Sequence, residues 1–171
     1  MKPKKTKEEL IRELKKKIEL TMDRNLHVVY YPCSVKLYDG RTLDCVYFID
    51  KREYIDVWGD APKSRHFVDV SEIESIHESK YRLPKEFAEK IYEKGQSFYS
   101  GVKFVLVMRD GKRLYYMTGG AIDFIELPEG YIINDIKDAI HSFDMPRDTD
   151  WDLFEKGYKN KKYYWCLAEN L

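Results

Sequence analysis

Three cysteines among 171 residues, at positions 33, 45 and 166, are odd in number and share no short spacing, so neither a disulfide framework nor a cysteine-based zinc site is expected. Reduced thiols imply a reducing compartment, and the cytoplasm is the expected location. Long hydrophobic runs are missing too. The opening MKPKKTKEELIREL is charged throughout, with no apolar run of signal-peptide length, and no later stretch is suited to spanning a bilayer. A net charge is the third absence: thirty Lys and Arg balance thirty Asp and Glu, so no global field draws in a polyanion and any nucleic-acid contact has to be local.

What is present suffices for a folded protein. Hydrophobic residues at 43% and charged residues at 35% belong to an ordinary globular chain, long enough to bury a core without metal or disulfide. Tyrosine, with 14 residues, is over-represented, and its apolar ring and polar tip suit strand surfaces and half-buried interfaces.

Thr6 followed by Glu9 reads as a capping box, and Leu10, Ile11, Leu14, Ile18 and Met22 recur behind it at helical spacing. The other face of this amphipathic helix carries Arg12, Lys15, Lys16 and Lys17, beside Lys2, Lys4, Lys5 and Lys7. Short runs of Val, Tyr, Ile and Phe then predict strands at 26–31, 34–38, 42–49, 54–58 and 66–70, with Pro32 as an interruption, Asp39-Gly40 as a hairpin turn and a loop at 59–64. Residues 83–95 read as a linking helix opened by Pro84 and stopped by Gly95. Strands at 102–108 and 112–118 flank Asp110-Gly111, and 121–127 reads as another before Pro128-Glu129-Gly130. In the tail Asp148 or Thr149 caps a short helix carrying Trp151 and Phe154, and 161–168 is a final strand.

Asp39-Gly40-Arg41 and Asp110-Gly111-Lys112 stand in matching places, each between an apolar strand and a Tyr-containing one. Both halves close on an acidic-Ile segment ending in Ile-His, at 72–77 and 135–141, read as short helical turns. A small strand unit present twice is the expectation. The expected fold is α+β, mainly β: tandem small antiparallel barrel-like or bent-sheet units with an N-terminal amphipathic helix and a linking helix. The corresponding segments are an N-terminal helix at 1–24, a first β unit at 25–82, the linking helix at 83–96, a second β unit at 97–143, and a C-terminal helix and strand at 144–171 packed on the body.

The run from the helix through VKLYDGRTL to YFIDKREYIDVW resembles the first motif of the Sm-like small β-barrels, an SH3-like architecture in which a helix precedes a strongly bent five-stranded antiparallel sheet. The resemblance covers about a third of the chain and implies a small-barrel unit. In that family the strand after the Asp-Gly turn carries a glycine, and an Asp and an Asn in the next loop contact RNA bases. Here Cys45 stands in the glycine's place, Asp50 arrives a residue early, and Tyr54 or its neighbours replace the Asn. The family's second motif, with its Arg-Gly pair, is not visible, so the RNA-contact role is not carried over.

His66, Asp69, Glu72 and His77 are close enough in sequence to be weighed as metal ligands or a proton-sharing set. Their three-residue spacing converges only on a helix, whereas the strand pattern puts His66 and Asp69 on opposite faces, and no metal, cofactor or catalytic residue is assigned. Asp56 and Asp60 read as solvent carboxylates, Cys45 as a small buried hydrophobe, and Gly119-Gly120 as a turn or bulge without the lysine of a phosphate loop. The main binding signal is the run Lys156, Tyr158, Lys159, Lys161, Lys162, Tyr163, Tyr164 and Trp165, where cations can neutralise phosphates and rings can stack on bases. The candidate surface is Lys159, Lys161, Lys162 and Tyr163, with Arg12 and Lys16 from the first helix.

These features concern surfaces, so the expected function is a non-enzymatic interaction or regulatory module with a protein partner. RNA or single-stranded nucleic acid is the alternative ligand. A metal-dependent hydrolytic enzyme is the alternative class, and it requires His66, Asp69, Glu72, His77 or His141 to converge in a cleft. A membrane partner is not expected, and exposed strand edges leave room for a homo-oligomer.

Overall fold

A computed structural model describes residues 3–60, 65–99 and 101–171, so Lys2 and most of the expected 59–64 loop lie outside the described residues. Among the described residues are four helices and eight strands in two sheets, an α+β, mainly-β chain in which neither sheet closes into a barrel. No helix among them is long and apolar enough to cross a membrane. The chain divides into two units, Met1–Ser79 with Lys162–Leu171, and Lys80–Lys161.

In the first unit the Thr6 hydroxyl accepts the Glu9 N–H at 3.1 Å while the Glu9 carboxylate accepts the Thr6 N–H at 2.8 Å, and this reciprocal cap starts α1 (Lys7–Lys17). Leu10, Leu14 and Ile18 bury against Val35, Phe48 and Ile76, each worth about 1.5–3 kcal/mol relative to exposure. Met22, expected on the same helical face, instead lies on β1 (Thr21–Asp23) and is 39% exposed. Pro32 does not interrupt: β2 (Val28–Leu37) runs straight through it. Residues 28–30 pair with β1 and residues 34–37 with β4 (Ile73–His77), so the proline occupies the gap where the strand changes partner and a missing N–H costs the ladder least. On its other edge β2 forms the expected Asp39-Gly40 hairpin with β3 (Thr42–Asp50).

Two strands expected next do not form. Residues 54–58 belong to α2 (Lys51–Trp58), because the Asp50 carboxylate, the acidic residue of the small-barrel resemblance, caps the N–H groups of Arg52 and Glu53. Residues 66–70 contribute one bridge, Phe67 to Trp165, before Asp69 takes the Ser71 N–H at 2.9 Å and turns the chain into a 3-10 turn, Val70–Glu72. The tail strand, β8 (Tyr164–Ala168), adds in parallel to β3, giving the order β1-β2-β3-β8 with β4 also on β2.

In the second unit Pro84 opens α3 (Lys85–Lys94), which Gly95 ends at φ 76°. Its sheet has the order β6-β5-β7, from β5 (Gly101–Met108), β6 (Arg113–Gly119) and β7 (Ile136–His141). Residues 121–127 are not a strand. They run irregularly through the core, satisfied by single bonds such as Leu83 N–H to Asp123 O at 2.7 Å and Lys161 N–H to Phe124 O at 3.0 Å. The short α4 (Asp152–Glu155) is entered through Asp150, whose carboxylate accepts the Asp152 N–H at 3.1 Å, rather than through Asp148 or Thr149.

The segments closing each half are strands led in by 3-10 turns, not helical turns alone: Val70–Glu72 precedes β4 and Ile133–Asp135 precedes β7. Around the hairpin turns their pairing matches, although the register shift between Cys33 and Val35 against β3 has no counterpart between β5 and β6. Lys36 faces Thr42 as Val107 faces Arg113, and Val35 faces Leu43 as Leu106 faces Leu114. On the other edge Lys36 faces Ser75 as Val107 faces Asp138, and both ladders slip at the next residue, so that Leu37 meets Ile73 and Met108 meets Ile136. Past the slip, Tyr38 donates to Glu72 O at 3.0 Å and Arg109 to Asp135 O at 2.8 Å. This register matches His77 to Ile140, so the Ile-His endings aligned by sequence stand one residue out of step.

Gly40 and Gly111 hold φ near 90° with open space around a virtual Cβ, so only backbone strain opposes a side chain there. Gly40→Ala is expected to weaken the first unit and Gly111→Ala the second, each by about 1–2 kcal/mol, while Gly119→Ala, at ordinary φ in open space, changes stability by less than about 0.5 kcal/mol. Hydrogen exchange with mass spectrometry reads each unit separately; equal effects of all three changes would contradict the turn assignment.

Candidate ligand-binding site

The structure disperses most of the residues weighed for chemistry. His66 is exposed and tilted against Tyr164 at 5.6 Å, while Asp69 and Glu72 face each other across the cap of their 3-10 turn, Asp69 N–H donating to Glu72 at 2.9 Å. His77 pairs with the Ser75 hydroxyl at 2.8 Å. Among the described residues no three His, Cys, Asp or Glu side chains gather where they could hold a metal. Asp56 and Asp60 are exposed, and all three cysteines are buried, with burial pushing the Cys166 thiol up.

The lysine and tyrosine run is divided between the units. Lys159 and Lys161 belong to the second, where Lys161 lies 4.4 Å from the Tyr81 ring centre and Lys80 lies 5.1 Å from it. Lys162 and Tyr163 belong to the first: Lys162 sits over Tyr164 at 5.4 Å, and Tyr163 meets Tyr47 edge-on at 5.0 Å. Arg12 and Lys16 are exposed on α1, whereas Lys5 and Lys17 are paired with Glu13.

A site that residue spacing did not single out lies in the first unit. The Asp50 cap sets the rotation of α2, turning Tyr54 inward and placing Trp58 one turn later, with ring centres 5.1 Å apart. Parallel pairing of β8 with β3 then brings Trp165 to 5.4 Å from Tyr54 and 5.2 Å from Trp58. The Arg65 guanidinium rests on all three rings, at 5.6 Å from Tyr54, 5.0 Å from Trp58 and 5.8 Å from Trp165. Cation and ring centres thus form a nearly regular tetrahedron. One hydrogen bond orients it, from Arg65 Nη1 to the Tyr54 hydroxyl at 3.1 Å.

Tyr54 and Trp165 are buried beneath, while Trp58 and Arg65 are half-buried. Among the described residues no carboxylate lies within ion-pair distance of Arg65, so ring faces and one neutral hydroxyl hold the charge. The sequence did carry a cue: Asp50 followed by Glu53 marks a helix start, and Tyr54 and Trp58 are spaced for one helical face. Nothing local points to Arg65.

Two other features serve the fold. A cleft of about 510 Å³ at the start of α2 is lined by Asp50, Lys51, Arg52, Ile55, Glu169 and Asn170. Three of its polar side chains are engaged, Asp50 as a cap and acceptor of the Leu171 N–H at 3.2 Å, and Lys51 with Glu169 at 4.0 Å. In the second unit the Tyr92 hydroxyl donates to the buried Asp123 carboxylate and accepts the Ile122 N–H at 2.9 Å, tying the irregular 121–127 segment to α3.

His141 is also buried there. Its Nδ1 accepts the Phe143 N–H at 3.0 Å, which leaves the proton on Nε2 to bond Gly95 O at 2.7 Å, so both nitrogens are committed. Burial lowers its pKa from the ordinary 6.5, opposed by the Gly95 carbonyl and Asp144. Folding therefore favours the neutral ring, and its contribution is full above pH about 6.5 and lost as pH falls through the lowered value. The second unit is expected to lose stability as pH falls below about 6.5, and His141→Gln to be less stable at neutral pH but without that added loss; an unchanged slope in the variant would clear His141 of the effect. Comparison with known protein families, with curated proteins and with solved structures finds no match to this chain.

Proposed function

We propose that the chain is a non-enzymatic interaction module whose first unit reads a cationic group presented by a protein partner. The observation that carries this reading is the guanidinium of Arg65 lying on Tyr54, Trp58 and Trp165 without a carboxylate partner among the described residues. Such a surface recognises charge through ring quadrupoles, each contact being worth about 0.5–2 kcal/mol depending on desolvation. The matching strand registers support reading the two units as tandem copies of one element, in keeping with the small-barrel resemblance of the first. The three buried thiols fit a reducing, cytoplasmic setting.

Titration with tetramethylammonium chloride, against sodium chloride at equal ionic strength, is expected to change tryptophan fluorescence saturably in the wild type. Trp58→Ala should abolish the saturable part. A linear response identical in both proteins, and in Arg65→Ala as well, would sink the reading.

A nucleic-acid ligand is the second reading, favoured by Lys80 and Lys161 bracketing the Tyr81 ring in the second unit, close in sequence to the exposed Lys159. Lys159→Glu with Lys161→Glu should then abolish binding to single-stranded oligonucleotides, and the wild-type affinity should fall steeply with salt. Salt-independent affinity unchanged in the double variant would remove it.

A further inference from the structure

We infer that Arg65 is a built-in occupant of a site whose external ligand is an alkylated ammonium head, and that it must swing out for that ligand to bind. The inference rests on the cation-reading function proposed above and adds both the ligand's chemistry and the regulation of the site.

Three observations carry it. A guanidinium presents five donors, yet among the described residues Arg65 makes one hydrogen bond, to the Tyr54 hydroxyl. Its remaining hold is on ring faces, and with no carboxylate in range among the described residues these are contacts that an external cation replaces in kind when the side chain swings out. The shape of the site also selects its occupant. Three ring centres 5.1–5.4 Å apart, with a cation 5.0–5.8 Å from each, present it with aromatic surface and, among the described residues, the Tyr54 hydroxyl as acceptor. A bare ammonium is strongly hydrated and would leave two of its three donors without partners, whereas a quaternary ammonium has no donors to satisfy and sheds its water more readily. Finally, Arg65 is only half-buried while Tyr54 and Trp165 beneath it are buried, so its departure opens the site to solvent without unpacking the core.

Self-occupancy lowers apparent affinity by the fraction of molecules in which the site is open. Removing the guanidinium should therefore tighten binding. The test compares wild type, Arg65→Ala, Arg65→Gln and Arg65→Ala with Trp58→Ala, each titrated with tetramethylammonium, choline, and a trimethyllysine peptide beside its unmethylated form. Arg65→Gln guards against misfolding, since its amide can still bond the Tyr54 hydroxyl without charge. In the wild type the ring-current-shifted Arg65 side-chain NMR resonances report displacement directly.

Arg65→Ala or Arg65→Gln is expected to bind tetramethylammonium at least about tenfold tighter than the wild type. The Trp58 double variant should lose binding, and the wild-type Arg65 resonances should move toward random-coil positions as ligand is added. A preference for the methylated peptide over choline assigns the head group to a protein; the reverse assigns it to a free metabolite, which supports self-occupancy and overturns the protein partner of the function proposed above. Wild-type binding with no gain in either Arg65 variant and unmoved Arg65 resonances overturns self-occupancy while leaving the cation-reading function intact. No binding by any folded variant overturns both.

Discussion

Trp165 is the residue on which the first unit closes. Its backbone holds the segment before the 3-10 turn from both sides, donating to His66 O and accepting from Val68 N–H, each at 2.9 Å. Its indole meets the rings of Tyr30, Tyr47, Tyr54, Trp58 and Tyr163 at centre distances of 4.9–5.8 Å. Each aromatic pair adds about 0.5–1.5 kcal/mol beyond buried area, so one side chain from the far end of the chain organises β2, β3, α2 and the 66–68 segment together. The cation site is a by-product of that closure: without β8 beside β3 there is no third ring for Arg65 to rest on.

The strand ladders impose a second constraint. A one-residue slip sends every side chain to the opposite face, so the offset after Lys36 and after Val107 is what lets Leu37 and Ile73, and likewise Met108 and Ile136, bury together. The reciprocal bonds at the 3-10 turns, Asp69 N–H to Glu72 at 2.9 Å and Ile132 N–H to Asp135 at 2.8 Å, deliver the closing strands into that register. Turn chemistry differs in detail. Asp39 is held low by the Arg41 backbone and guanidinium, whereas Asp110 is held low chiefly by the Tyr131 hydroxyl, whose own pKa rises to about 12.

Much of this was legible in residue order where local chemistry and tertiary demand agree. Thr6 with Glu9, Gly40, Gly111, Pro84 and Gly95 all act where their types suggest. The misreadings cluster where they compete. Tyr54 to Trp58 is rich in strand formers, but the Asp50 cap and the i,i+4 rings win as a helix. The 121–127 run is apolar enough for a strand, yet Asp123 is drawn inside to Tyr92 and the backbone is shared among several neighbours instead of one ladder. Pro32 looks like a break only until two different partner strands are known to meet there. Arg65 could not be found from sequence at all, because its site is assembled from rings at positions 54, 58 and 165, which no window of local pattern spans.

The same register explains why the aromatic site belongs to one unit only. Following β2 onto β5, Tyr30 of the first unit falls at Gly101 of the second. A Cβ at Gly101 would lie 2.2 Å from the Phe98 ring and 2.5 Å from Thr118 O, so that position has given up its side chain to let Phe98 lie across the strand. One unit fills the space with rings from β2, α2 and β8 and leaves an outer face for a cation; the other fills it from the residues just before its own first strand. A large side chain on the central strand thus accompanies the three-ring cation site in the first unit, whereas in the second, where that position is Gly101, the cations of Lys80 and Lys161 meet the single ring of Tyr81.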